Sequence, residues 1–337
     1  MLKSIEGTTR MFTRRRLLAA SAASVFAPAI VSSAASAQGG STWPTKPVRM
    51  IVPFPPGGGT DTLGRLVGHK LSEMWGQQVV IENRAGAGSN IGTEAAAKSD
   101  PDGYTFLFCT VGLAINRFMY KSLGYDPLKD LAPITVLFEY PNLMAVPNSS
   151  PAKSVMEFIE LAKKKPGMTF GSSGIGTTPH LSGEMFTRVA GIQMTHVPYR
   201  GAGPAINDLM PGRLDMMFNT IGAMLTHVRS GAIRGLAVSS RDRFFTAPEL
   251  PSVREAGLPG FEIMGWYGFA APAKTPKEII TKINADVLTA VREPELKKRI
   301  EAVGVGILGS TPEEMTARIK SDMKVWEPVI RAANISQ

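Results

Sequence analysis

Residues 48–61 read Val-Arg-Met-Ile-Val-Pro-Phe-Pro-Pro-Gly-Gly-Gly-Thr-Asp, and this stretch decides the fold class. The β-rich run Val48–Val52 is typical of a β-strand, and beyond the three glycines apolar side chains recur at helical spacing through residues 60–75. A strand, a glycine loop and a helix start leave backbone N–H groups unpaired at the positive end of the helix dipole. The stretch therefore predicts an anion-binding site made of backbone.

The glycine loop does not have the sequence of a nucleotide site. No Lys-Ser or Lys-Thr pair follows the glycines, as a phosphate-binding P-loop requires, and the spacing does not fit G-x-G-x-x-G. We therefore expect the anion to be small.

The rest of the chain alternates strand-like and helix-like segments, which predicts an α/β fold with largely parallel sheets. The predicted strands are Val48–Val52, Gln78–Ile81, Tyr104–Cys109, Ile134–Phe138, Leu143–Val146, Met168–Gly171, Thr195–Tyr199, Met216–Phe218 and Leu236–Ser239. The predicted helices are Thr60–Trp75, Asn90–Lys98, Ser154–Lys165, Pro179–Ala190, Pro204–Met210, Pro276–Arg292, Pro294–Val303 and Pro312–Ala333.

Two further glycine-containing turns, at residues 170–180 and 197–204, also join a predicted strand to a predicted helix. Ligands of open α/β sheets bind at the carboxyl ends of the strands. Any one of these turns alone is also compatible with an ordinary connection. Three of them in one chain favour a shared site in which N–H groups and hydroxyls surround a small anion.

The N-terminus has the composition of an export signal. Arg14-Arg15-Arg16 precede the apolar run Leu17–Val31, and Ala35-Ser36-Ala37 predicts cleavage after Ala37. Residues 13–18 also resemble a twin-arginine signal, so both bacterial export routes stay open. A membrane anchor is the alternative, but this apolar run is shorter than the roughly 20 residues that a spanning helix needs. We therefore predict a periplasmic protein that lacks residues 1–37.

Much of the apparent basicity belongs to this signal. It carries five basic residues and one acidic residue, so its removal lowers the formal net charge from +9 to +5. The mature chain has no extended basic run beyond Lys163-Lys164-Lys165, which argues against a nucleic-acid partner. The single cysteine, Cys109, excludes an intramolecular disulfide.

An exported serine hydrolase is the enzymatic alternative, with Ser173 as nucleophile and His180 as base. Residues 171–175 miss the G-x-S-x-G motif because Ile175 stands at its last position, and no acid is obviously placed to orient His180. The four histidines form no H-x-x-x-H pair that would predict a zinc site. We expect a binding protein without enzymatic activity, metal or cofactor.

Several motifs together give the chain a family resemblance. They are the loop at residues 54–61, Glu-Asn-Arg-Ala-Gly-Ala-Gly at 82–88, Gly-Ser-Ser-Gly at 171–174 and Val-Pro-Tyr-Arg-Gly at 197–201. In these motifs, and from residue 44 to about 335, the chain resembles the Bug receptor family, the extracytoplasmic solute receptors of tripartite tricarboxylate transporters.

The resemblance implies a two-domain periplasmic binding protein fold of type II, with two Rossmann-like lobes joined by two crossing segments. The crossings would lie near Phe138–Leu143 and Glu262–Gly265. The first lobe would then be discontinuous, with residues 44–140 and 264–337, and the second would span residues 141–263.

The resemblance also places a ligand carboxylate between the first glycine loop and the Gly-Ser-Ser-Gly loop, held by backbone groups and ordered waters. Asp61 would cap its own helix or hold a water, because like charges repel. Trp266 would either stack on the ligand or be a buried hinge residue. Asn219 stands where many relatives carry aspartate, which removes a negative charge near the cleft. The implied ligand-binding residues are Phe54, Pro55, Gly57, Gly58, Asp61, Thr110, Asn116, Ser172, Ser173, Thr177, His180, Tyr199, Arg200, Gly201 and Asn219.

The implied function is capture of a small carboxylate in the cleft, by a monomer, for the membrane permease subunits of a tripartite tricarboxylate transporter. The alternative is a stand-alone carboxylate receptor that feeds a sensor system.

Overall fold

The computed structural model describes residues 43–336, so the predicted export signal and its cleavage site lie outside the described residues. The strands are β1 Val48–Val52, β2 Val79–Asn83, β3 Thr105–Thr110, β4 Leu131–Val146, β5 Thr169–Ser172, β6 Thr195–Pro198, β7 Met216–Thr220, β8 Arg234–Val238, β9 Met264–Pro272 and β10 Gly306–Ile307. The helices are α1 Gly59–Trp75, α2 Asn90–Ala97, α3 Gly112–Met119, α4 Val155–Lys164, α5 Thr178–Ala190, α6 Ala202–Leu209, α7 Ile221–Arg229, α8 Lys277–Arg292, α9 Pro294–Ala302 and α10 Pro312–Ala332. A short 3-10 turn, Ala87–Ser89, precedes α2.

The strands form two groups, each the sheet of one α/β lobe. The first group has the order β2-β1-β3-β9-β4, with β10 antiparallel to β4 on its other side. The second group continues from β4 through β7 and β5 to β6, and β8 also pairs with β4. Parallel pairs β1–β2, β1–β3, β5–β6 and β5–β7 come from strand–helix–strand connections. Their carboxyl ends open toward the same region of the molecule.

Strand β4 belongs to both groups. Its residues 131–141 pair antiparallel with β9, and its residues 142–146 pair antiparallel with β7 and β8. The pairing partner changes between Pro141 and Asn142, which is where the chain passes from one lobe to the other. Strand β9 returns the chain to the first lobe beside β4. The predicted residue bounds of the two domains stay a prediction.

Helix α1 lies close to the first sheet because two of its glycines face the strands. A Cβ on Gly64 would lie 3.1 Å from Val52 Cγ2, and one on Gly68 would lie 2.9 Å from Ile81 Cδ1. The helix ends at Gly76, which has the left-handed conformation that favours glycine (φ 61°). This close packing fixes the start of α1 at the carboxyl end of β1.

Most predicted elements are present, and five of the observed strands and helices were missed or divided. Sequence patterns predicted two strands, Ile134–Phe138 and Leu143–Val146, where the structure has the single strand β4. They did not predict β9, β10, α3 or α7. Between residues 43 and 336, none of the helices combines the length and the hydrophobicity that crossing a membrane requires.

Candidate functional site

A cleft of about 160 Å³ lies where the carboxyl ends of β1, β3, β5 and β7 approach the crossing strands β4 and β9. Both lobes contribute to it. From the first lobe and the crossing strands come Phe54, Thr60, Gly88, Thr110, Val111, Gly112, Asn116, Met119, Tyr120, Tyr140 and Tyr267. From the second lobe come Ser173, Ile175, Gly176, Thr177, Thr178, Pro179 and Thr220.

Four helices begin at this cleft. Residues of the first turns or N-caps of α1, α3, α5 and α7 line it, namely Thr60, Val111, Thr178 and Thr220. In none of these four helices does the side chain of the N-cap residue make a capping hydrogen bond, although the Gly112 N–H at the start of α3 donates to Thr110 Oγ1 at 3.2 Å. The helices that do have such a cap among the described residues are α4, α9 and α10, and none of their caps lines the cleft. The cleft therefore receives the positive ends of four helix dipoles.

The lining contains no charged side chain in the described part of the chain. Its polar groups are neutral and all but one are hydroxyls: Thr60, Thr110, Asn116, Tyr120, Tyr140, Ser173, Thr177, Thr178, Thr220 and Tyr267. Backbone N–H groups and hydroxyls are hydrogen-bond donors that suit an anion, and helix N-termini favour it electrostatically. The arrangement is suited to binding an anion without a counter-charge from lysine or arginine.

Asp61 holds the first glycine loop in shape. Asp61 is 4% exposed, and its side chain accepts hydrogen bonds from the Gly57 N–H (2.9 Å), Arg65 Nε (3.0 Å) and Asn83 Nδ2 (2.9 Å). Asn83 Nδ2 also donates to the Phe54 carbonyl at 3.0 Å, which ties both ends of the loop together. Burial acts to raise the pKa of Asp61, but the hydrogen bonds outweigh it and lower this pKa. Asp61 is therefore a loop-holding carboxylate.

The two candidate glycines of this loop differ from one another. The Gly57 N–H is already bonded to Asp61 Oδ2, so in this structure it is not a free donor for an anion. Gly57 has a φ of +87°, whereas Gly58 has a φ of −83° and open space around its Cα. Backbone conformation thus requires glycine at 57 but not at 58. Pro55, Gly57, Gly58 and Asp61 do not line the cleft, whereas Phe54 does.

Of the predicted ligand-binding residues in and next to the loop between β5 and α5, some line the cleft and others do not. Ser173 and Thr177 line the cleft, and Ser172 and His180 do not. Ser172 is fully buried, and its hydroxyl contacts His196 Nε2 at 2.7 Å. His180 Nδ1 accepts a hydrogen bond from the Gly176 N–H at 3.1 Å, so this ring holds the loop around residue 176.

The two histidines behind the loop lie face to face. The ring centroids of His180 and His196 are 3.7 Å apart with an interplanar angle of 14°. Burial and the neighbouring His180 lower the pKa of His196 to about 3, so His196 is neutral at neutral pH. No hydrogen bond joins Ser173 to His180 in the described residues, and the serine that does contact a histidine, Ser172, has no exposed surface. The geometry thus does not favour the hydrolase alternative.

The third loop supports the second one rather than lining the cleft. The Gly201 N–H donates to the Ser173 carbonyl at 3.1 Å, and the Tyr199 N–H donates to the Ser172 carbonyl at 3.1 Å. The Tyr199 hydroxyl bonds Asp208 (2.8 Å), and Arg200 is exposed. None of these three predicted residues lines the cleft.

Of the three predicted residues that follow or end a strand, two line the cleft and one does not. Thr110 and Asn116 line the cleft, and Asn116 Nδ2 donates to the Gly88 carbonyl (2.7 Å) and to Asn90 Oδ1 (2.8 Å). Asn116 therefore also holds the turn at residues 87–89. Asn219 is 1% exposed and accepts from the Thr220 N–H at 2.8 Å, while its Nδ2 has no partner among the described residues.

Trp266 is fully buried on the crossing strand β9. It is 0% exposed, and its Nε1 donates to Asp322 Oδ2 on α10 at 2.7 Å. It does not line the cleft, so the alternative in which it stacks on a ligand is wrong for this structure.

Sequence reasoning missed several residues that line the cleft. Tyr140 and Tyr267 lie on the crossing strands, and Thr60 and Thr178 lie in the first turns of α1 and α5. The position of Thr60 directly after the three glycines was a usable signal for it. No local motif identified Tyr267, because β9 itself was not predicted.

Comparison with known proteins gives one consistent result. Residues 63–335 match the family described as tripartite tricarboxylate transporter family receptor. Protein BugT of Bordetella pertussis is 35% identical over 86% of this chain and 90% of its own length. A solved structure of R. palustris Rpa4515 with adipate is 38% identical, with a TM-score of 0.80 over 88% of this chain and 100% of that chain. The structure of MatC (Rpa3494) from Rhodopseudomonas palustris with bound malate is 30% identical, with a TM-score of 0.75 over 85% of this chain and 99% of that chain.

Proposed function

We propose that this chain, which belongs to the tripartite tricarboxylate transporter receptor family, binds a small carboxylate in the cleft between its lobes. The observation that carries the proposal is the set of four helix N-termini, whose N-cap side chains make no capping hydrogen bond, around a cleft without charged side chains in the described part of the chain. Each terminus supplies unpaired N–H groups and the positive end of a dipole. A carboxylate satisfies both.

The same lining sets limits on the ligand. It contains no acidic side chain to pair with an ammonium group, which disfavours amines. Phe54, Met119 and Ile175 add apolar surface beside the hydroxyls. A short aliphatic carboxylate with one or two carboxyl groups fits this combination. The adipate and malate bound to the two structural relatives are of this type.

The experiment compares the six-carbon dianion adipate with a neutral and a cationic ligand of the same chain length, and adds malate as a shorter acid. Purified protein is titrated with adipate, malate, adipamide and 1,6-diaminohexane, with thermal denaturation and calorimetry as readouts. A ligand at about 100 times its dissociation constant adds about 2.7 kcal/mol to the stability. We expect adipate or malate to raise Tm by on the order of 5 °C, and the amide and the diamine to leave it unchanged.

A wider series of mono-, di- and tricarboxylates follows if neither acid binds. Failure of the whole series to bind would overturn the proposed function. Stabilisation by adipamide equal to that by adipate would contradict the role given to the helix N-termini.

We further propose that the protein is exported to the periplasm after removal of residues 1–37 and delivers its ligand to the permease subunits of a tripartite tricarboxylate transporter. Family membership and the composition of the N-terminus support this. N-terminal sequencing of the periplasmic protein checks the first part, with Gln38 as the expected first residue. Replacing Arg14 and Arg15 by lysine tests the twin-arginine route.

A further inference from the structure

The loop between β5 and α5, residues 173–177, supplies most of the surface that the second lobe contributes to the cleft. We call it the cleft loop. With the first two residues of α5, it provides every second-lobe residue that lines the cleft except Thr220. Gly174 and Gly176 have φ values of +139° and +73°, so the backbone requires glycine on both sides of Ile175. The shape of the cleft loop therefore determines how the second lobe meets a ligand.

Behind the cleft loop, two histidines and a phenylalanine form a stack of rings. The ring of His196 stacks on those of His180 and Phe170, with centroid distances of 3.7 Å and 4.9 Å. Helix α5 packs directly on this stack, because a Cβ on Gly183 would lie 2.1 Å from Phe170 Cε2. His180 is only 4% exposed. Stacking and burial together hold the His180 ring in one position.

Each histidine of the stack is connected to one glycine of the cleft loop. His180 lies in the first turn of α5, and its Nδ1 accepts a hydrogen bond from the N–H of Gly176, which precedes the helix, at 3.1 Å. A side chain in the first helical turn that reaches back to a preceding N–H is the geometry of half a capping box. His196 Nε2 lies 2.7 Å from Ser172 Oγ, which accepts a hydrogen bond from the Gly174 N–H at 3.2 Å. The histidine stack thus fixes both glycines of the loop.

The hydrogen bond between His180 and Gly176 exists in only one protonation state of the ring. An imidazole nitrogen accepts a hydrogen bond from an N–H group only when it carries no proton itself. The neutral ring then has its proton on Nε2, which lies 3.5 Å from Glu184 Oε1, one turn further along α5. A second proton, on Nδ1, would face the N–H of Gly176 donor to donor. Protonation of His180 therefore breaks the hydrogen bond that holds Gly176.

We propose that His180 is a positioning residue of the carboxylate site, whose unprotonated Nδ1 holds the cleft loop in its binding shape, so that protonation of His180 weakens carboxylate binding. The proposal rests on the proposed function and adds a control of affinity by pH. His180 does not line the cleft, so it acts through Gly176 and not by contact with the ligand. Histidine is the side chain whose charge ordinarily changes between about pH 5 and 8. The test therefore spans this range.

The other titratable and charged groups around the stack are accounted for. His196 stays neutral over this range, because burial and the neighbouring His180 lower its pKa to about 3. Tyr140 on β4 lines the cleft together with Thr178, and burial raises its pKa, so its hydroxyl keeps its proton. Strands β5 and β7 contain no titratable residue. Among residues 43–336, Glu184 carries the one carboxylate that pairs with either ring. Charged side chains on or beside the neighbouring elements have other surroundings: Glu139 lines a separate cavity with Arg292 and Lys297, Arg188 bonds the Pro328 carbonyl, Asp208 bonds Tyr199 and Arg213, Asp215 bonds Thr169 and Lys165, and Asp322 bonds Trp266 and Arg318.

The experiment replaces His180 by one side chain that keeps the acceptor and by one that removes it. Asparagine can place its amide oxygen near the position of Nδ1 and does not titrate, whereas leucine has no acceptor. Wild type, His180→Asn and His180→Leu are titrated calorimetrically with adipate and malate at pH 8, 7, 6 and 5. His69→Leu is the matched control, because His69 pairs with Glu73 at the same i,i+4 spacing on an exposed part of α1.

At pH 8 we expect His180→Leu to bind about tenfold more weakly than wild type, because the Gly176 N–H loses its partner, and His180→Asn and His69→Leu to bind like wild type. On acidification the wild type should lose affinity relative to His180→Asn and approach His180→Leu. Protonation of the ligand itself affects all variants equally and cancels in this ratio. At pH 7, well above the pKa of the carboxyl groups of the ligand, binding to wild type should release protons. Calorimetry in buffers of different ionisation enthalpy measures this release, which His180→Asn should not show.

Three results would overturn the proposal. They are equal affinity of His180→Leu and wild type at pH 8, a ratio of wild-type to His180→Asn affinity that does not change with pH, and proton uptake on binding at pH 7. Proton uptake would mean that the imidazolium attracts the carboxylate directly. The proton measurement on wild type needs no variant, so it decides the question even if a substitution at 180 prevents folding. Wild-type protein that binds no carboxylate at any of these pH values would instead refute the proposed function.

Discussion

At the scale of single residues, the structure separates the groups that shape the loops from those that face the cleft. Asp61 and His180 do not line the cleft, and each accepts a hydrogen bond from a loop N–H, at Gly57 and Gly176. Sequence analysis placed both residues near the ligand because it identifies a whole motif. A motif contains the residues that hold the loop in shape as well as those that contact the ligand. The proposed ligand contacts of all the predicted residues stay a prediction.

Gly58 tests whether the first glycine loop accepts an anion. Its φ of −83° and the open space around its Cα allow a side chain without strain. Gly58→Val should therefore leave the fold intact and weaken adipate or malate binding by about tenfold or more, because the side chain blocks approach to the N-terminus of α1. Calorimetry on Gly58→Ala and Gly58→Val measures the effect, which should increase with side-chain size. Unchanged affinity in folded Gly58→Val would show that this loop is only a connection.

His196 gives stability a pH dependence of known sign. Burial and His180 hold its pKa at about 3, whereas the unfolded chain titrates near 6.5. Between these pH values the unfolded state binds one proton more than the folded state, so stability falls as the pH is lowered from about 6.5 toward 3. Because the imidazole is partly exposed, the slope should stay below the roughly 1.4 kcal/mol per pH unit of one fully linked proton.

Urea denaturation at pH 7, 6, 5 and 4 measures this slope. His196→Gln should make it shallower, and His69→Gln, at an exposed helix position, should not. Parallel slopes for wild type and His196→Gln would contradict the assignment.

At the scale of elements, periodic segments were predicted and interrupted ones were missed. The predicted α/β class and most helices agree with the structure, since α1, α8 and α10 keep their apolar faces over several turns. Strand β9 was missed because Gly265 and Gly268 interrupt it. A Cβ on Gly268 would lie 2.4 Å from the Thr135 carbonyl oxygen, so the neighbouring strand requires glycine here. A local sequence pattern contains no information about that neighbour.

The two missed helices show the same limit at the cleft. Helix α3 begins at Gly112 and helix α7 has Gly222 in its first turn, and glycine lowers helix propensity. Tertiary contacts explain both. A Cβ on Gly112 would lie 3.0 Å from Ser89 Oγ, and one on Gly222 would lie 2.1 Å from the Val303 carbonyl oxygen. Sequence patterns therefore did not predict two of the four helices that begin at the cleft, α3 and α7.

The contact at Gly222 also predicts how the lobes approach. Helix α7 follows a strand of the second sheet, and Val303 and Gly304 follow α9 beside β10 of the first. Gly222→Ala puts a methyl group against backbone that has no room to give way, so the two elements should move apart. We expect weaker adipate binding, by about tenfold, in a protein that still folds. Calorimetry should show no such loss for Gly203→Ala, where the first turn of α6 has open space. Equal affinity of Gly222→Ala and wild type would refute a role for this contact in closure.

At the scale of the whole molecule, the chain has the two-lobe α/β fold of periplasmic binding proteins, with the cleft between the lobes. The sequence resemblance predicted this arrangement, and the structure adds that β4 itself passes from one sheet to the other. Neither lobe alone surrounds the cleft, because α1 and α3 start on one side and α5 and α7 on the other.

Ligand binding should therefore close the lobes about β4 and the start of β9. Hinge closure around the ligand is a common response of such receptors. Small-angle X-ray scattering with saturating adipate or malate should give a smaller radius of gyration than without ligand, and adipamide should give no change. Superimposable scattering curves with and without a tightly bound acid would contradict closure.

The use of helix starts in the proposed anion site has an evolutionary consequence. The position of a backbone amide depends on the fold and not on the identity of one side chain. A single substitution therefore does not remove the hydrogen-bond donors, whereas the loss of an arginine removes the binding group of a site that depends on that side chain. The side chains around these amides can then vary, and each change alters which ligand is preferred while the backbone N–H groups remain in place. In such a receptor the side chains determine which anion is preferred, whereas the backbone determines that an anion binds. Ligand preference can therefore change by single substitutions.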